Sequence, residues 1–273
     1  MSYDSYIGKT ETSTDMVSPR LVEGLAATLG LPVPATLPPL WHWMLFQNWV
    51  APGELGPDGH PRRGGFLPPV HDLPRRMWAG GRVRLLAPLR PGDRVTRTST
   101  ILAVAEKQGG SGRLVFVTVR HAIAGPAGPA IDEEQDIVYR GTEGAAVKPA
   151  TQVADPLPPG DRLRREVLPD PVLLFRYSAL TGNGHRIHYD MDYVRQVEGY
   201  PGLVVHGPLQ ATWLAGLLAD EPVASFGFRG QRPAFHGNPL VLEGRPGGPG
   251  YLLRTLDPSG AVCMQAEATL AQP

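Results

Sequence analysis

Residues that can transfer protons are concentrated in one segment, residues 175–210. It contains His185, His188 and His206, and Asn183 stands between two glycines just before the first of them. Because imidazole titrates near neutral pH, His188 can serve as a base or an acid. The neutral amide of Asn183 can orient a water molecule but cannot accept its proton. The segment therefore predicts acid–base chemistry centred on His188.

A helix start follows directly after the third histidine. Gly207 and Pro208 precede the apolar run 209–218, and proline is favoured just inside a helix, where its missing N–H is not needed. The N–H groups at such a start have no partner within the helix and can face a negative oxygen. We expect the Gly207 N–H to stabilise an oxyanion, an interaction whose loss typically raises a barrier by about 3–4 kcal/mol.

Two stretches of this segment carry a family resemblance. Residues 180–190 read LTGNGHRIHYD, and residues 198–209 read EGYPGLVVHGPL. The first resembles the hydratase 2 motif of MaoC-like enoyl-thioester hydratases and dehydratases. Together they look most like the branch that contains mitochondrial hydroxyacyl-thioester dehydratase type 2 and bacterial 3-methylfumaryl-CoA (mesaconyl-CoA) hydratase. The resemblance is specific because it couples a loop motif to a helix entry at the right separation.

The resemblance implies a lyase that reversibly hydrates a trans-2-enoyl thioester to a 3-hydroxyacyl thioester. It implies no metal and no cofactor beyond the coenzyme A of the acyl-CoA substrate, which is expected to be a short dicarboxylic ester such as 3-methylfumaryl-CoA, giving citramalyl-CoA. His188 and Gly207 stand at the family's two catalytic positions, but Asn183 replaces the usual catalytic Asp. The partner of His188 is therefore expected to be His185, Asp190 or a residue outside the motif, while the amide positions the water.

Further residues are expected to contact the substrate: Tyr177, Arg186, His206, Arg229 and Arg232. Arg186 could grip a second substrate carboxylate with two guanidinium nitrogens, or form a structural salt bridge with Asp190 or Asp192. The two later arginines could instead face solvent. His206, like His185, could be a hydrogen-bonded structural residue.

Other activities share this architecture or this motif. A 3-hydroxyacyl-ACP dehydratase of fatty-acid synthesis, an itaconyl-CoA hydratase and a non-catalytic acyl-thioester binding subunit are the alternatives within reach of the motif. A thioesterase shares the fold, and fold alone does not separate it from a hydratase. The absence of HExxH, CxxC and GxGxxG patterns disfavours a metalloprotease, a cysteine metal site and a dinucleotide-binding unit.

The composition bounds the partners and the compartment. In 273 residues, 26 Lys and Arg balance 26 Asp and Glu, so no net charge recruits nucleic acid or an anionic membrane. Cys263 is the single cysteine, which excludes an internal disulfide and favours a reducing compartment. Without an apolar run of 18 residues or a signal-like start, we expect a cytoplasmic protein. A homodimer is left open as its assembly.

The remaining sequence predicts helices followed by long strands, twice over. Ser18, Pro19 and Gly30 mark the cap, first position and end of a helix, and a second helix is predicted over residues 208–219. Extended runs are predicted over residues 77–87, 94–106, 113–124, 130–139, 224–233, 240–243, 251–256 and 261–270. Residues 41–50 are read as a short buried helix, and residues 1–17 as a flexible lead that could tuck against the body of the protein. The turn-rich loop 51–75 contains His60, His71 and arginines that could touch ligand.

The repeated order predicts an α+β fold, a double hotdog, with two antiparallel sheets each wrapped round a central apolar helix. The predicted units are an N-terminal hotdog over residues 1–140, a linker over 141–160 and a catalytic C-terminal hotdog over 161–273. Because the first half has no counterpart to residues 183–190, we expect it to shape the acyl pocket without taking part in catalysis.

Overall fold

The computed structural model describes residues 3–109, 112–141, 154–155 and 162–271. Within them the strands, numbered along the chain, are β1 Thr10–Met16, β2 Arg75–Leu85, β3 Arg94–Gly109, β4 Gly112–Gly125, β5 Gly128–Arg140, β6 Leu163–Val167, β7 Val223–Gly230, β8 Leu240–Gly247, β9 Gly250–Leu256 and β10 Val262–Leu270. The α-helices are α1 Pro19–Leu29, α2 Pro171–Leu180, α3 Met191–Gln196 and α4 Gly207–Gly216. Short 3-10 turns cover Asp4–Tyr6, Trp41–Met44, Pro52–Glu54 and Arg186–His188.

All ten strands form one antiparallel sheet in the order β1-β3-β4-β5-β2-β7-β10-β9-β8-β6. The two halves of the chain meet where β2 pairs with β7. At this junction a side chain on Gly80 would lie 2.5 Å from the Phe228 carbonyl oxygen, so the close pairing requires glycine. The two predicted sheets are therefore the two halves of one continuous sheet.

Two helices supply the cores of the two halves. Helix α1 begins as predicted, with the Ser18 hydroxyl accepting the Leu21 N–H at 3.4 Å, and it ends at Gly30 in the left-handed region with φ 67°. Helix α4 is buried along seven consecutive residues, from Leu209 to Ala215. A helix buried on all sides belongs inside a sheet that wraps round it.

Residues of the first half contact the C-terminal end of α2, at which residues 180–190 begin. A side chain on Gly24 of α1 would come within 2.8 Å of Leu180, so α1 and α2 pack closely because Gly24 has none. The Gln47 side-chain amide donates to the Leu180 carbonyl at 2.6 Å. The polar segment of the second half is therefore positioned partly by residues of the first.

Two predictions in the first half were wrong. Residues 41–50 do not form a helix beyond the turn Trp41–Met44, because Leu40 and Phe46 adopt left-handed backbone conformations on either side of it. Trp41 and Met44 are buried, as expected, but Trp49 is 73% exposed. Residues 1–17 are not all a loose lead, since β1 pairs with β3 from Thr10 to Met16.

Of the two strands that flank the site segment along the chain, β7 was predicted within a few residues, whereas neither β6 nor α2 was predicted. The two signals for α2 are Asp170, whose carboxylate accepts the Leu173 N–H at 2.7 Å, and Pro171 at the first helical position. Most of the predicted linker 141–160 lies outside the described residues. Among the described helices, none has both the length and the apolar character to cross a membrane.

Candidate active site

The polar segment leaves α2 through a tight turn. Gly182 adopts φ +61°, a conformation that favours glycine. The Asn183 side-chain oxygen then accepts the backbone N–H of His185 at 3.0 Å, which is an Asx turn. Asn183 therefore uses its oxygen to shape the loop, and its amide N–H groups are the atoms left to hold a water molecule.

His188 has one ring nitrogen fixed and one free. Its Nδ1 lies 2.7 Å from the Val204 carbonyl oxygen, and because a carbonyl can only accept, Nδ1 carries the hydrogen. The lone pair is then on Nε2. The side chain is buried, and burial lowers the pKa of His188 to about 4, against the opposing effect of the Val204 hydrogen bond. His188 is thus neutral at pH 7 with Nε2 as an acceptor.

His206 connects His188 to the start of α4. Its ring stacks on His188, with 3.6 Å between ring centroids and 17° between planes. Its Nε2 lies 2.8 Å from the Ser178 hydroxyl oxygen, and its buried Nδ1 has no hydrogen-bond partner among the described residues. The Tyr177 ring also contacts His206, edge-on at 4.9 Å between centroids. Gly207, the next residue, opens α4 with its N–H unpaired in the described part of the chain.

The loop 51–75 brings a histidine and a carboxylate of the first half to this segment. His60 Nδ1 lies 3.0 Å from Asp58 Oδ2, and the His60 backbone N–H donates to Oδ1 of the same carboxylate at 3.1 Å. The His60 ring lies 4.3 Å from the ring of His185, which in turn meets His188 edge-on at 5.5 Å. A row of four imidazoles therefore runs from His60 to His206.

The charges in this row are set by burial and by Asp58. Burial by itself raises the pKa of Asp58, but the His60 hydrogen bonds outweigh it and hold that pKa well below its usual range. Burial lowers the pKa of His60, partly offset by Asp58. Burial, together with the charges of His60 and His188, lowers the pKa of His185 to about 2. The site at pH 7 contains neutral imidazoles and one ionised carboxylate.

Three of these side chains have atoms close enough to share a cation. The ligand atoms of Asp58, His60 and His185 lie within 4.8 Å of one another, and two imidazoles with one carboxylate are a donor set that first-row metals accept. The hydrogen bond between Asp58 and His60 already joins two members of this set. Asp58 and His60 therefore form a hydrogen-bonded pair next to His185.

Arg186 fastens the two loops together. Its guanidinium donates to the Asp190 carboxylate at 2.7 and 2.9 Å and to the Pro57 carbonyl at 3.0 Å. Its backbone N–H donates to the Asp58 carbonyl at 2.9 Å, and its charge lies 4.2 Å above the Tyr193 ring. The structural salt bridge considered above is the arrangement found, and it occupies the guanidinium.

Arg229 does not join the histidine row. Phe228 packs against Trp43 and Trp78 in the core, so the next residue of the strand, Arg229, points to the opposite face of the sheet. There it lines a cavity of about 550 Å³ that contains none of the motif residues. Arg232 follows β7, where its backbone N–H donates to the Cys263 carbonyl.

The residues that sequence reasoning missed are Asp58, which was not considered, and Ser178, the partner of His206. His60 was considered only as one of several loop residues. The one available signal was the compact string Pro57-Asp58-Gly59-His60-Pro61, which places an acid and a histidine two residues apart between turn formers. No periodic pattern relates that string to residues 180–190, because only the folded chain brings them together.

Comparison with known proteins assigns the family. Residues 40–236 match the model of the hydroxyacyl-thioester dehydratase type 2 family. The chain is 46% identical over 274 aligned residues to a mesaconyl-C(4)-CoA hydratase of Chloroflexus aurantiacus, and the alignment covers 97% of each protein.

Solved structures agree on the fold. A MaoC-like dehydratase from Phytophthora capsici superposes with a TM-score of 0.73 at 18% identity, covering 100% of this chain and 98% of that one. A Mycobacterium tuberculosis protein described as having a double hotdog fold gives 0.56 at 14% identity, covering 96% and 95%. The predicted double hotdog is confirmed.

Proposed function

Because the chain belongs to the hydroxyacyl-thioester dehydratase type 2 family, we propose that it is a hydro-lyase acting on an enoyl-CoA thioester. Its proposed substrate is a short dicarboxylic ester, mesaconyl-C(4)-CoA, hydrated reversibly to citramalyl-CoA. The 46% identity to a hydratase with that name, over 97% of both chains, supports this choice of substrate.

The observation that carries the proposal is the proximity of His188 to the start of α4. The His188 ring, whose Nε2 is free, stacks on His206, and His206 is the residue directly before Gly207, whose N–H begins α4. One group can act on the attacking water, and the other can meet the charge that builds up on the thioester oxygen. The addition of water to a conjugated thioester needs these two functions.

In the proposed step one O–H bond of water breaks and a C–O bond forms at the alkene carbon β to the thioester. The π electrons move toward the thioester oxygen as an enolate, which the Gly207 N–H stabilises. His188 Nε2 accepts a hydrogen bond from the attacking water, and Asn183 donates to its oxygen from the amide. A base of the site takes the proton that the water loses and then gives it to the α-carbon, which restores the carbonyl.

No metal or redox cofactor enters the proposed reaction. Hydration changes neither the electron count of substrate and water together nor the number of protons, so no electron acceptor is needed. Conjugation with the thioester already makes the β-carbon electrophilic, and backbone N–H groups can stabilise the oxyanion.

A second substrate carboxylate requires a cation, and Arg76 is our candidate. Its positive charge contributes to lowering the pKa of both His60 and His185, so this charge acts on the row. Arg75 is paired with Glu198 and Arg186 with Asp190, whereas Arg76 has no carboxylate partner within 4.0 Å among the described residues. An arginine without a protein carboxylate partner, whose charge acts on the row, supports a substrate with a carboxylate.

The test follows the ultraviolet absorbance of the conjugated thioester in mesaconyl-C(4)-CoA and crotonyl-CoA. Loss of absorbance without release of free thiol supports the hydratase. Release of thiol would instead identify a thioesterase, and binding without either change would identify a non-catalytic subunit. Rates on the acyl-carrier-protein ester far above those on the CoA ester would favour a dehydratase of fatty-acid synthesis.

Replacement of Arg76 tests the diacid. We expect Arg76→Met to lower kcat/KM for mesaconyl-C(4)-CoA by at least about tenfold, since a hydrogen bond to a charged group contributes about 1.5–3 kcal/mol. Hydration of crotonyl-CoA, which has no second carboxylate, should change by less than about threefold, because it gains nothing from the cation. Equal losses on both substrates would contradict this role.

A further inference from the structure

The motif of this chain lacks its carboxylate, and a carboxylate of the other half lies nearby. Where the MaoC-like motif that this segment resembles has its catalytic Asp, this chain has Asn183, whose oxygen is already used by the His185 N–H. Asp190, the acid inside the motif, is paired with Arg186 and accepts the Tyr193 N–H. Neither side chain is free to take a proton from water.

The Asp58–His60 pair has the features of an acid–base group. Since the Asp58 carboxylate is ionised and can only accept, His60 donates Nδ1–H to it and keeps its lone pair on Nε2. A carboxylate in that position stabilises the imidazolium that forms when Nε2 takes a proton, the same role that the aspartate plays in a serine-protease triad. Among the described residues no other carboxylate hydrogen-bonds a histidine of the row.

The position of this pair is fixed by the motif itself. The Arg186 backbone and side chain bond to the carbonyls of Asp58 and Pro57. Gly59 and Gly184 approach so closely that a side chain on Gly59 would lie 2.0 Å from the Gly184 carbonyl oxygen. The loop that carries Asp58 and His60 is therefore fixed to the motif by direct backbone contacts, unlike a turn that lies free on the surface.

The pair is neither sealed in the core nor loose on the surface. The side chains of His60 and Asp58 are 21% and 20% exposed, whereas His188 and His206 at the other end of the row are buried. Substrate and water therefore have access at the end where the carboxylate lies. The first half, expected from sequence to be non-catalytic, therefore brings a carboxylate to the histidine row.

We propose that His60, oriented by Asp58, is the group that exchanges the proton between water and the α-carbon, and so replaces the carboxylate absent at position 183. This inference rests on the proposed hydratase function. As water adds, its O–H bond breaks and the proton moves to His60 Nε2. The resulting imidazolium then gives this proton to the α-carbon of the enolate, so His60 ends neutral. His188 holds the other hydrogen of the water throughout.

The experiment measures steady-state hydration by His60→Gln and Asp58→Asn, with His71→Gln as the matched control on the same loop. His71 is exposed and outside the row. We expect His60→Gln to lower kcat by at least about a hundredfold, the range of a general acid–base group, with a smaller change in KM. Asp58→Asn, which keeps an oxygen for the His60 N–H, should lower kcat about tenfold or more, and His71→Gln should leave it within twofold.

Rescue separates a catalytic role from a structural one. In the His60→Gln background, Asn183→Asp restores a carboxylate at the family's position and should recover at least about tenfold in kcat. A residue that merely holds the loop would not be rescued from position 183. Thermal melting of each variant, compared with wild type, shows whether the fold is retained. If His60→Gln does not fold, the Asp58→Asn enzyme and its own Asn183→Asp rescue decide the question.

Three results would overturn the inference while the wild-type enzyme still hydrates the thioester. These are a His60→Gln kcat within about threefold of wild type, a loss confined to KM, and the absence of rescue by Asn183→Asp. Loss of wild-type activity on dialysis against EDTA, restored by Zn²⁺, would also overturn it, because the three side chains would then be metal ligands. A wild-type enzyme without hydratase activity would instead refute the proposed function.

Discussion

At the scale of single residues, hydrogen bonds decide which atoms remain reactive. The Val204 carbonyl fixes the proton of His188 on Nδ1, and Asp58 fixes that of His60 on Nδ1, so each ring keeps a lone pair on Nε2. Asn183 and Arg186 are polar residues of the same motif, but their hydrogen bonds are made within the loop. The Asn183 oxygen accepts the His185 N–H, and Arg186 donates to Asp190. Residue type alone does not show which of these four side chains keeps an atom available for chemistry.

His188 provides the prediction at this scale. Replacement by alanine should lower kcat by at least about a hundredfold, because the attacking water loses its acceptor in a buried site. The measurement is steady-state hydration of mesaconyl-C(4)-CoA followed by absorbance. The control is His121→Asn, which alters a histidine bonded to Ser99 and Gln135 in the first half and should leave kcat within a few fold. Near-normal turnover of His188→Ala would remove His188 from the site.

At the scale of elements, the site is the meeting of two loops with a helix start. The loop after α2 carries His185 and His188, α4 begins at Gly207, and the loop before β2 carries Asp58 and His60. Each is held by backbone contacts, since Val204 N–H donates to the Ile187 carbonyl at 2.9 Å and Arg186 joins the two loops. Displacing one loop should therefore reduce activity without unfolding the sheet.

Gly59 provides the prediction for the loop before β2. It adopts φ +87°, and an added Cβ would collide with the Gly184 carbonyl, so Gly59→Ala should push the loop away from the motif and lower kcat by at least about tenfold, on the scale of misplacing a catalytic group. Gly64→Ala is the matched control. Gly64 also has a positive φ, +99°, but its Cβ would meet nothing closer than 3.6 Å.

Both substitutions carry a similar backbone cost of about 1–2 kcal/mol for the left-handed conformation. Because only the Gly59 Cβ also collides with backbone, the melting temperature of Gly59→Ala should fall further than that of Gly64→Ala, and hydratase activity should fall sharply in Gly59→Ala alone. Equal activity of the two variants would show that the contact between the loops does not position the reacting groups.

At the scale of the whole molecule, a single sheet and a shared interior make the halves interdependent. The largest buried cluster contains residues of α1, α2 and α4 together with both strands of the β2–β7 junction. One histidine of the row comes from the first half and three from the second. The homodimer considered from sequence stays a prediction, which light scattering of the purified protein would check.

The buried histidines give the molecule a predicted pH dependence. Burial lowers the pKa of His188 to about 4 and of His185 to about 2 from an ordinary 6.5. As the pH falls below 6.5, these histidines bind protons in the unfolded chain but not in the native state. Their contribution to the free energy of unfolding is therefore complete above pH 6.5 and should decline as the pH falls toward 4.

Urea denaturation at a series of pH values between 7.5 and 4.5 measures this decline. His188→Gln removes one contributing group, so its unfolding free energy should fall less steeply with decreasing pH than that of wild type. His71→Gln, which alters an exposed side chain, should keep the wild-type slope. Stability that is constant across this range would contradict burial of the row as neutral imidazoles.

Much of the fold follows from local sequence signals. The cap and stop residues Ser18 and Gly30 bound α1, and turn formers between runs of β-branched residues bound β2 to β5 within a few residues of prediction. The roles of His188, Gly207 and Asn183 come from the resemblance to the motif and stay predictions, whereas the bounds of these elements follow from the local sequence. These features depend on neighbours in the chain, and local backbone preferences and hydrogen bonds are sufficient to encode them.

Tertiary structure alone decided how the site is completed. The contact between Gly59 and Gly184 joins residues 125 positions apart, and no periodicity records it. Arg229 was placed with the site by its strand, but the face it occupies depends on which neighbour, Phe228, packs into the core. The partner of a catalytic group is chosen by the packing of the two halves, and packing is a property of the folded chain.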